Sequence, residues 1–209
     1  MKELLKGKFP KITKTQLDQL MVLPDLYKEW NDKINVISRK DIDAVFDHHI
    51  LHSLSIAMKF SFVEGSKVLD LGTGGGLPGI PLAILFPEVY FKLIDGTAKK
   101  IRVVNDIIER LGLKNVVGQQ MRAEELREQF DFVVTRAVAK IDKLKEWSLP
   151  LIKDAQQHAI PNGLIALKGG NIKEELALLS KRDYYELTSL VPLLDLPYYD
   201  EKYMVYLQL

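Results

Sequence analysis

Apolar positions over roughly the first sixty residues fall at helical spacing. Leu17, Leu20, Met21, Leu26 and Trp30 lie roughly on one helical face. Asn31 to Lys40 breaks that pattern, and Asp41 is placed to cap a following helix. Beyond it Ile42, Val45, Phe46, His49, Ile50 and Ser53 recur at three- and four-residue steps, which predicts a second buried helical face.

From about residue 66 the texture changes to short apolar runs between helical patterns. Strands are predicted at Lys67–Leu71, Tyr90–Ile94, Asn115–Gln119, Phe130–Val134, Gly163–Lys168, Tyr184–Val191 and Met204–Leu209. Helices are predicted after the Pro-Gly-Ile-Pro segment, over Ala98–Leu111 with Gly112 as a stop, and over roughly Ile141–Ile152 and Ile172–Ser180. Strands alternating with helices from about 66 to 180 argue for a parallel sheet wrapped by helices. The last two strands have no full helix between them, so a tight antiparallel return at the sheet edge is expected.

Composition narrows the chemistry. Hydrophobic residues make up 47% of the 209 and charged residues 27%, which suits a folded globular chain rather than a disordered one. The absence of cysteine excludes disulfides, Cys-ligated metals and thiol nucleophiles. A net charge of +1 means that a nucleic-acid partner would have to be held by a local basic face. The longest apolar stretch near the middle, Leu77 to Phe86, is too short to span a membrane and holds two prolines. The lysine-rich start has no apolar core, so no signal peptide is expected, and a cytoplasmic location follows.

The candidate chemistry centres on Val68-Leu-Asp-Leu-Gly-Thr-Gly-Gly-Gly-Leu-Pro-Gly79, where a strand ends, glycines turn the chain and a helix begins. Gly72, Gly74 and Gly76 permit positive φ and bare-backbone contact, and the helix start beyond would supply free N–H groups. The literal GxGxxG of Gly74, Gly76 and Gly79 leaves two ligands in competition, a nicotinamide dinucleotide and S-adenosylmethionine. Asp95, ending the next strand, is placed to hold ribose hydroxyls. Asp70 would repel a pyrophosphate but suit a methionyl ammonium, so the two acids favour the sulfonium ligand.

With those residues in view, the chain resembles the glucose-inhibited division protein B family, bacterial methyltransferases acting on N7 of a guanine in 16S ribosomal RNA. The resemblance rests on Asp70-Leu-Gly-Thr-Gly-Gly-Gly-Leu-Pro-Gly-Ile-Pro81. It continues through Asn35–Asp41, His49-Ile-Leu-His-Ser53, Asp95 with Lys99 and Lys100, Thr135-Arg-Ala137 and Ala166-Leu-Lys-Gly169. It implies an α/β, Rossmann-like class I methyltransferase fold: a seven-stranded, mostly parallel sheet. A helical N-terminal extension over residues 1–62 would precede a methyltransferase domain over 63–209. The implied donor is S-adenosylmethionine. The implied partner is 16S rRNA or a small-subunit particle, with no membrane and no metal. A monomer is the default, since oligomeric state is not readable from the sequence.

By matched position, the resemblance assigns Gly72, Leu77, Ala123, Glu124 and Arg136 to the cofactor site, beside Gly74 and Asp95 read from the glycine turn and the strand end. Ala123 and Glu124 follow the third strand, where a group can reach adenine. The chain departs from the family at His52, where Asp is usual, at Gly75, where Pro is common, and at Lys100, where Arg is common. Methyl transfer to N7 needs no general base, because N7 already carries a free lone pair. Arg136 and Lys168, after strand ends, are the candidate catalytic residues, reading guanine O6 beside N7. The structural alternatives are Arg136 paired with Asp131 or Glu124, and Lys168 as a solvated strand end.

Basic runs at Lys2–Lys14, Lys33–Lys40 and Lys99–Arg102 could form a rim for RNA phosphates or simply be solvated helix faces. His48, His49 and His52 lack the Glu of a metalloprotease helix and a third ligand, so packing or RNA contact is expected of them. Trp30, Phe46 and Phe60 are expected in the core.

Overall fold

The computed structural model describes residues 1–209. Two N-terminal helices, α1 (Lys2–Lys8) and α2 (Lys14–Asn31), lead through a short 3₁₀ turn at Ile42–Ala44 and a π-helical turn at Phe46–Ile50 into α3 (Leu51–Lys59). Alternation then begins: β1 (Lys67–Leu71), α4 (Gly79–Leu85), β2 (Tyr90–Asp95), α5 (Ala98–Leu111), β3 (Val116–Gln120) and β4 (Phe132–Arg136). It continues with α6 (Ile141–Ser148), β5 (Gly163–Gly169), α7 (Ile172–Leu176), β6 (Tyr185–Ser189), α8 (Val191–Leu194) and β7 (Lys202–Gln208). No helix is long and apolar enough to cross a membrane.

The seven strands form one sheet in the order β3-β2-β1-β4-β5-β7-β6. β1 to β5 run parallel, and β7 is antiparallel to both its neighbours. The order reverses between β1 and β4, so a crevice opens there at the carboxyl ends of the strands.

Period-two alternation sorts the strand residues onto two faces. Val68, Phe91, Val134 and Leu167 face a core shared with α2, α3, α4 and α5. Leu69, Ile94, Val133 and Ala166 face the other way, against Ile141 and Leu144 of α6 and Ile172 and Leu176 of α7. The first core holds 39 buried residues and the second 16, because the N-terminal helices thicken only one side. Leu20, Leu23 and Tyr27 of α2 are fully buried there, as are Ile50 and Leu54. Trp30, Phe46 and Phe60 are packed in the same core, as their spacing predicts.

Several boundaries differ from expectation. Phe130 lies upstream of β4 and instead donates its N–H to the Leu151 carbonyl. The sixth helix ends at Ser148, because Pro150 has no N–H and the chain tightens into a 3₁₀ turn over Leu149–Leu151. The seventh helix stops at Leu176, short of Ser180. The expected antiparallel return at the sheet edge is present, β6 pairing with β7, but it is not tight: the connection carries α8, and β7 sits inside, between β5 and β6. Burial accounts for that order, since Met204, Val205, Tyr206 and Leu207 are at most 2% exposed, whereas Tyr185 and Leu187 of β6 remain exposed.

Thr13 and Gln16 form a reciprocal capping box at the start of α2. Thr13→Ala is expected to destabilise the protein by about 0.5–2 kcal/mol in urea unfolding.

Candidate functional site

The loop after β1 is closed on itself. Thr73 N donates to Ile94 O at 2.9 Å, and the amides of Gly76 and Leu77 both donate to Thr73 O at 3.0 Å. Gly72, Gly74 and Gly76 have φ of 70°, 59° and 100°, the left-handed region that the turn requires. A Cβ on Gly72 would sit 2.5 Å from a Val138 methyl, whereas one on Gly74 would meet nothing within 4 Å.

Asp70 does not reach a ligand. It is 0% exposed. Its Oδ2 accepts from Thr73 Oγ1 at 2.5 Å and from Gly79 N at 2.8 Å, while Oδ1 is buried without a partner. The carboxylate expected to hold an ammonium instead ties the strand end to the start of α4. Burial pushes Asp70 up to about 7, against the pull of its hydrogen bonds from Thr73 and Gly79 and of the Arg136 charge.

The expected free amides at the helix start are also absent. Gly79 N is taken by Asp70, Ile80 N donates to Gly76 O, Pro81 has no N–H, and Leu82 N donates to Pro78 O. Gly74 N donates to Asp95 Oδ2 at 3.1 Å. A pyrophosphate would find these donors already engaged, which counts against the dinucleotide reading of GxGxxG.

Two adjoining cavities fill the switch point. The larger, about 650 Å³, has one wall from Gly72–Gly75 and Leu77, and another from Arg136, Lys168, His49 and His52. Tyr198 and Lys202 complete its rim. The smaller, about 340 Å³, is lined by Met121, Arg122, Ala123, Glu124 and Trp147. Gly72, Asp95 and Val138 belong to both. The structure therefore gathers Gly72, Gly74, Leu77, Asp95, Arg136 and Lys168 in one cavity, and Ala123 and Glu124 in its neighbour.

Asp95 stands at the junction. Its Oδ1 accepts from Thr97 N at 2.8 Å, and Lys100 Nζ lies 3.5 Å from Oδ2. Arg136 pairs with neither Asp131 nor Glu124. Asp131 is taken up by Lys67 N, Lys153 and Gln157, and Arg136 Nη1 instead lies 2.8 Å from His49 Nδ1. Lys168 is not a solvated strand end: it is 7% exposed. Its Nζ donates to Ala139 O at 2.6 Å and lies 2.7 Å from Glu175 Oε2, so its charge is balanced at the cavity wall.

Asp41 does not cap a helix with its side chain. Its two oxygens face His48 Nδ1 and His49 Nε2, each at 2.5 Å. The His48 ring stacks on Tyr198 with centroids 3.5 Å apart, and Lys202 Nζ lies 4.7 Å from the Tyr198 centroid. His52 is buried edge-on to Tyr199, its Nε2 unpartnered and its pKa pushed down by burial and by the Arg136 charge. No group of three metal-binding side chains converges.

Sequence reasoning missed Met121, Trp147, Tyr198 and Lys202. None of them sits in a motif, and each reaches the site only through the fold. Tyr27 stands outside every motif, yet its hydroxyl donates to Gly75 O at 3.0 Å, so α2 supports the loop from behind. In the basic runs, Lys6, Lys14 and Lys33 pair with neighbouring acids and Lys100 lines the larger cavity, whose rim also carries Lys202 from outside those runs.

A sequence model of the family described as GidB, rRNA small subunit methyltransferase G, matches residues 16–191. The ribosomal RNA small subunit methyltransferase G of Flavobacterium johnsoniae is 50% identical over 190 residues, covering 91% of this chain and 90% of that protein. That of Porphyromonas gingivalis is 48% identical and covers 99% of this chain and 93% of that protein. Among solved structures, a fibrillarin/Nop5p complex aligns with a TM-score of 0.56 at 14% identity, covering 76% of this chain and 79% of that one. An rRNA methylase from Streptococcus thermophilus aligns with a TM-score of 0.50 at 15% identity, covering 76% and 92%. These two likenesses concern the fold.

Two outcomes follow from the loop. Tyr27→Phe leaves the Gly75 carbonyl without its buried donor and should destabilise the protein by about 1–3 kcal/mol, read by urea unfolding. Asp70, at about 7 when folded against an ordinary 3.8, keeps a proton in the folded state that the unfolded chain releases. Its stabilising contribution is complete below about 3.8 and is lost as pH rises through about 7. The melting temperature of the wild type relative to Asp70→Asn should therefore fall across that window.

Proposed function

The chain belongs to the rRNA small subunit methyltransferase G (GidB) family, and from that premise we propose that it transfers a methyl group from S-adenosylmethionine to N7 of a guanine in 16S rRNA. The observation that carries the cofactor is the two-lobed crevice hinged on Asp95, beside a glycine loop in which the amides of Thr73, Gly74, Gly76 and Leu77 are already bonded. Such a loop offers open backbone surface at Gly74 without an anion cradle, which suits a cationic sulfonium.

The residues divide the work by position. Asp95, between the lobes, accepts from ribose hydroxyls. Ala123 and Glu124, with Met121 and Trp147, enclose the adenine in the smaller lobe. Gly72, Gly74 and Leu77 face the methionyl part in the larger. When bound, S-adenosylmethionine supplies an activated methyl group, and N7 displaces it in line: the C–S bond breaks as the C–N bond forms, and positive charge passes from sulfur to purine. N7 carries no proton, so no side chain has to act as a base. Arg136 donates to guanine O6 and fixes the base for attack, the kind of alignment that removes about 7–11 kcal/mol of barrier. Lys168 stands at the same wall as a neutral pair with Glu175, which avoids repelling the charge that develops on the purine.

We assign residues 1–62 as a helical extension that shapes this crevice, and residues 63–209 as the methyltransferase domain. Lys100 and Lys202, lining the larger cavity, are the basic groups offered to RNA phosphates. The substrate is 16S rRNA, free or in a small-subunit particle, and the reaction belongs to the cytoplasm.

Radiolabelled methyl transfer to 16S RNA and to small-subunit particles, with the modified base mapped, tests the reading. Product at guanine N7 is expected, with calorimetric binding of S-adenosylhomocysteine and none of NAD. Asp95→Asn should weaken S-adenosylhomocysteine by about 1–3 kcal/mol, and Arg136→Ala should lower turnover. NAD binding, or full turnover by both Arg136→Ala and Lys168→Ala, would overturn it.

A further inference from the structure

Arg136 leaves β4 at the wall of the larger cavity, and its side-chain partner is an imidazole rather than a carboxylate. A guanidinium carries five N–H donors and no acceptor, and it stays protonated in proteins. The 2.8 Å contact therefore has one reading: Arg136 donates and His49 Nδ1 accepts. The imidazole proton must then sit on Nε2, which faces Asp41 Oδ2 at 2.5 Å. The second oxygen of Asp41 faces His48 Nδ1 at the same distance.

The electrostatics agree with that assignment. Burial and the Arg136 charge push His49 down to about 4, His48 pushes the same way, and Asp41 pulls against them. Burial would raise Asp41, but the hydrogen bonds from His48 and His49 outweigh it and hold its carboxyl below the ordinary range. His52, close enough to sense both His49 and Arg136, is itself kept neutral by burial. His49 is thus neutral, with a single tautomer compatible with its neighbours.

We propose that Asp41 and His49 are positioning residues for methyl transfer: Asp41 locks the Nε2–H tautomer of His49, and the bare Nδ1 holds the Arg136 guanidinium in place for the target base. A neutral imidazole suits this task better than a carboxylate. It restrains the long side chain through one N–H while leaving the remaining donors free for guanine O6. A carboxylate would occupy two of those donors in a bidentate pair. The same Asp41 orients His48, which stacks on Tyr198 across the rim, so one carboxylate aligns two walls of the cavity. The proposal rests on the role given to Arg136 above.

Nitrogen-15 NMR of the full-length protein, single-turnover methyl transfer to small-subunit RNA and S-adenosylhomocysteine calorimetry test it together. The His49 resonances should show a protonated Nε2 and a bare Nδ1 at neutral pH, and Arg136→Met should shift the Nδ1 signal. His49→Leu should slow transfer on the order of 10²-fold, with S-adenosylhomocysteine affinity close to wild type. His49→Gln, whose amide keeps one acceptor and one donor, should recover most of that loss. In an Arg136→Met background His49→Leu should add nothing, because the two side chains act as one unit. Asp41→Asn, of the same shape, takes the place of His49→Leu if that variant does not fold, and should slow transfer while relaxing the tautomer preference. A proton on Nδ1, equal damage in both backgrounds, or Gln no better than Leu would overturn the proposal. Full transfer by Arg136→Met would remove the role of Arg136 itself, and the positioning role with it, while leaving the NMR contact intact.

Discussion

Asp70, a carboxylate sealed under the sheet, is what places the crevice. By accepting from Thr73 and Gly79 it fastens the end of β1 to the beginning of α4 and sets the path of the glycines between them. Everything at the site is measured from that path. Asp95 is held to it through the Gly74 amide, Val138 closes over Gly72, and Tyr27 braces Gly75 from α2. Such a buried acid is tolerable because it is hydrogen-bonded and because burial favours its neutral form.

The amides of Thr73, Gly74, Gly76 and Leu77 are bonded within the protein, so the crevice offers an anion few open loop donors. That separates it from dinucleotide sites of similar sequence, where helix-start amides are left open for phosphate. The positive groups nearby are restrained in two ways. Lys168 is neutralised by Glu175, whereas Arg136 is steadied by a neutral ring and keeps its charge. On the proposed reading, the sulfonium side of the cavity is lined by backbone and carboxylate, and the base side by the guanidinium.

Much of the fold was legible because local patterns and global packing agree. The fifth helix, Ala98–Leu111 with Gly112 in the left-handed conformation, matches its amphipathic spacing residue for residue. The glycine loop was legible for a similar reason: its chemistry is encoded within a dozen consecutive residues. What could not be read depends on long-range choices. Whether Asp41 caps a helix or binds two histidines is decided by the π-helical turn that follows it. Whether Asp70 faces a ligand or the interior is decided by how closely α4 packs on β1 and β2, where Gly79 has no room for a Cβ beside Leu93. Tyr198 and Trp147 join the site from chain segments with no pattern of their own.

The placement of β7 between β5 and β6 has a consequence for biosynthesis. During translation the central parallel strands and their helices emerge first, yet β5 lacks one of its partners until residues 202–208 leave the ribosome. Until then a buried edge stays open and β6 has nothing to pair with. Tyr198 and Lys202, on the way into that strand, arrive equally late. The nascent chain can therefore gather the glycine loop, His49 and Arg136 before Tyr198 and Lys202 close the rim, and completion of the pocket waits on β7.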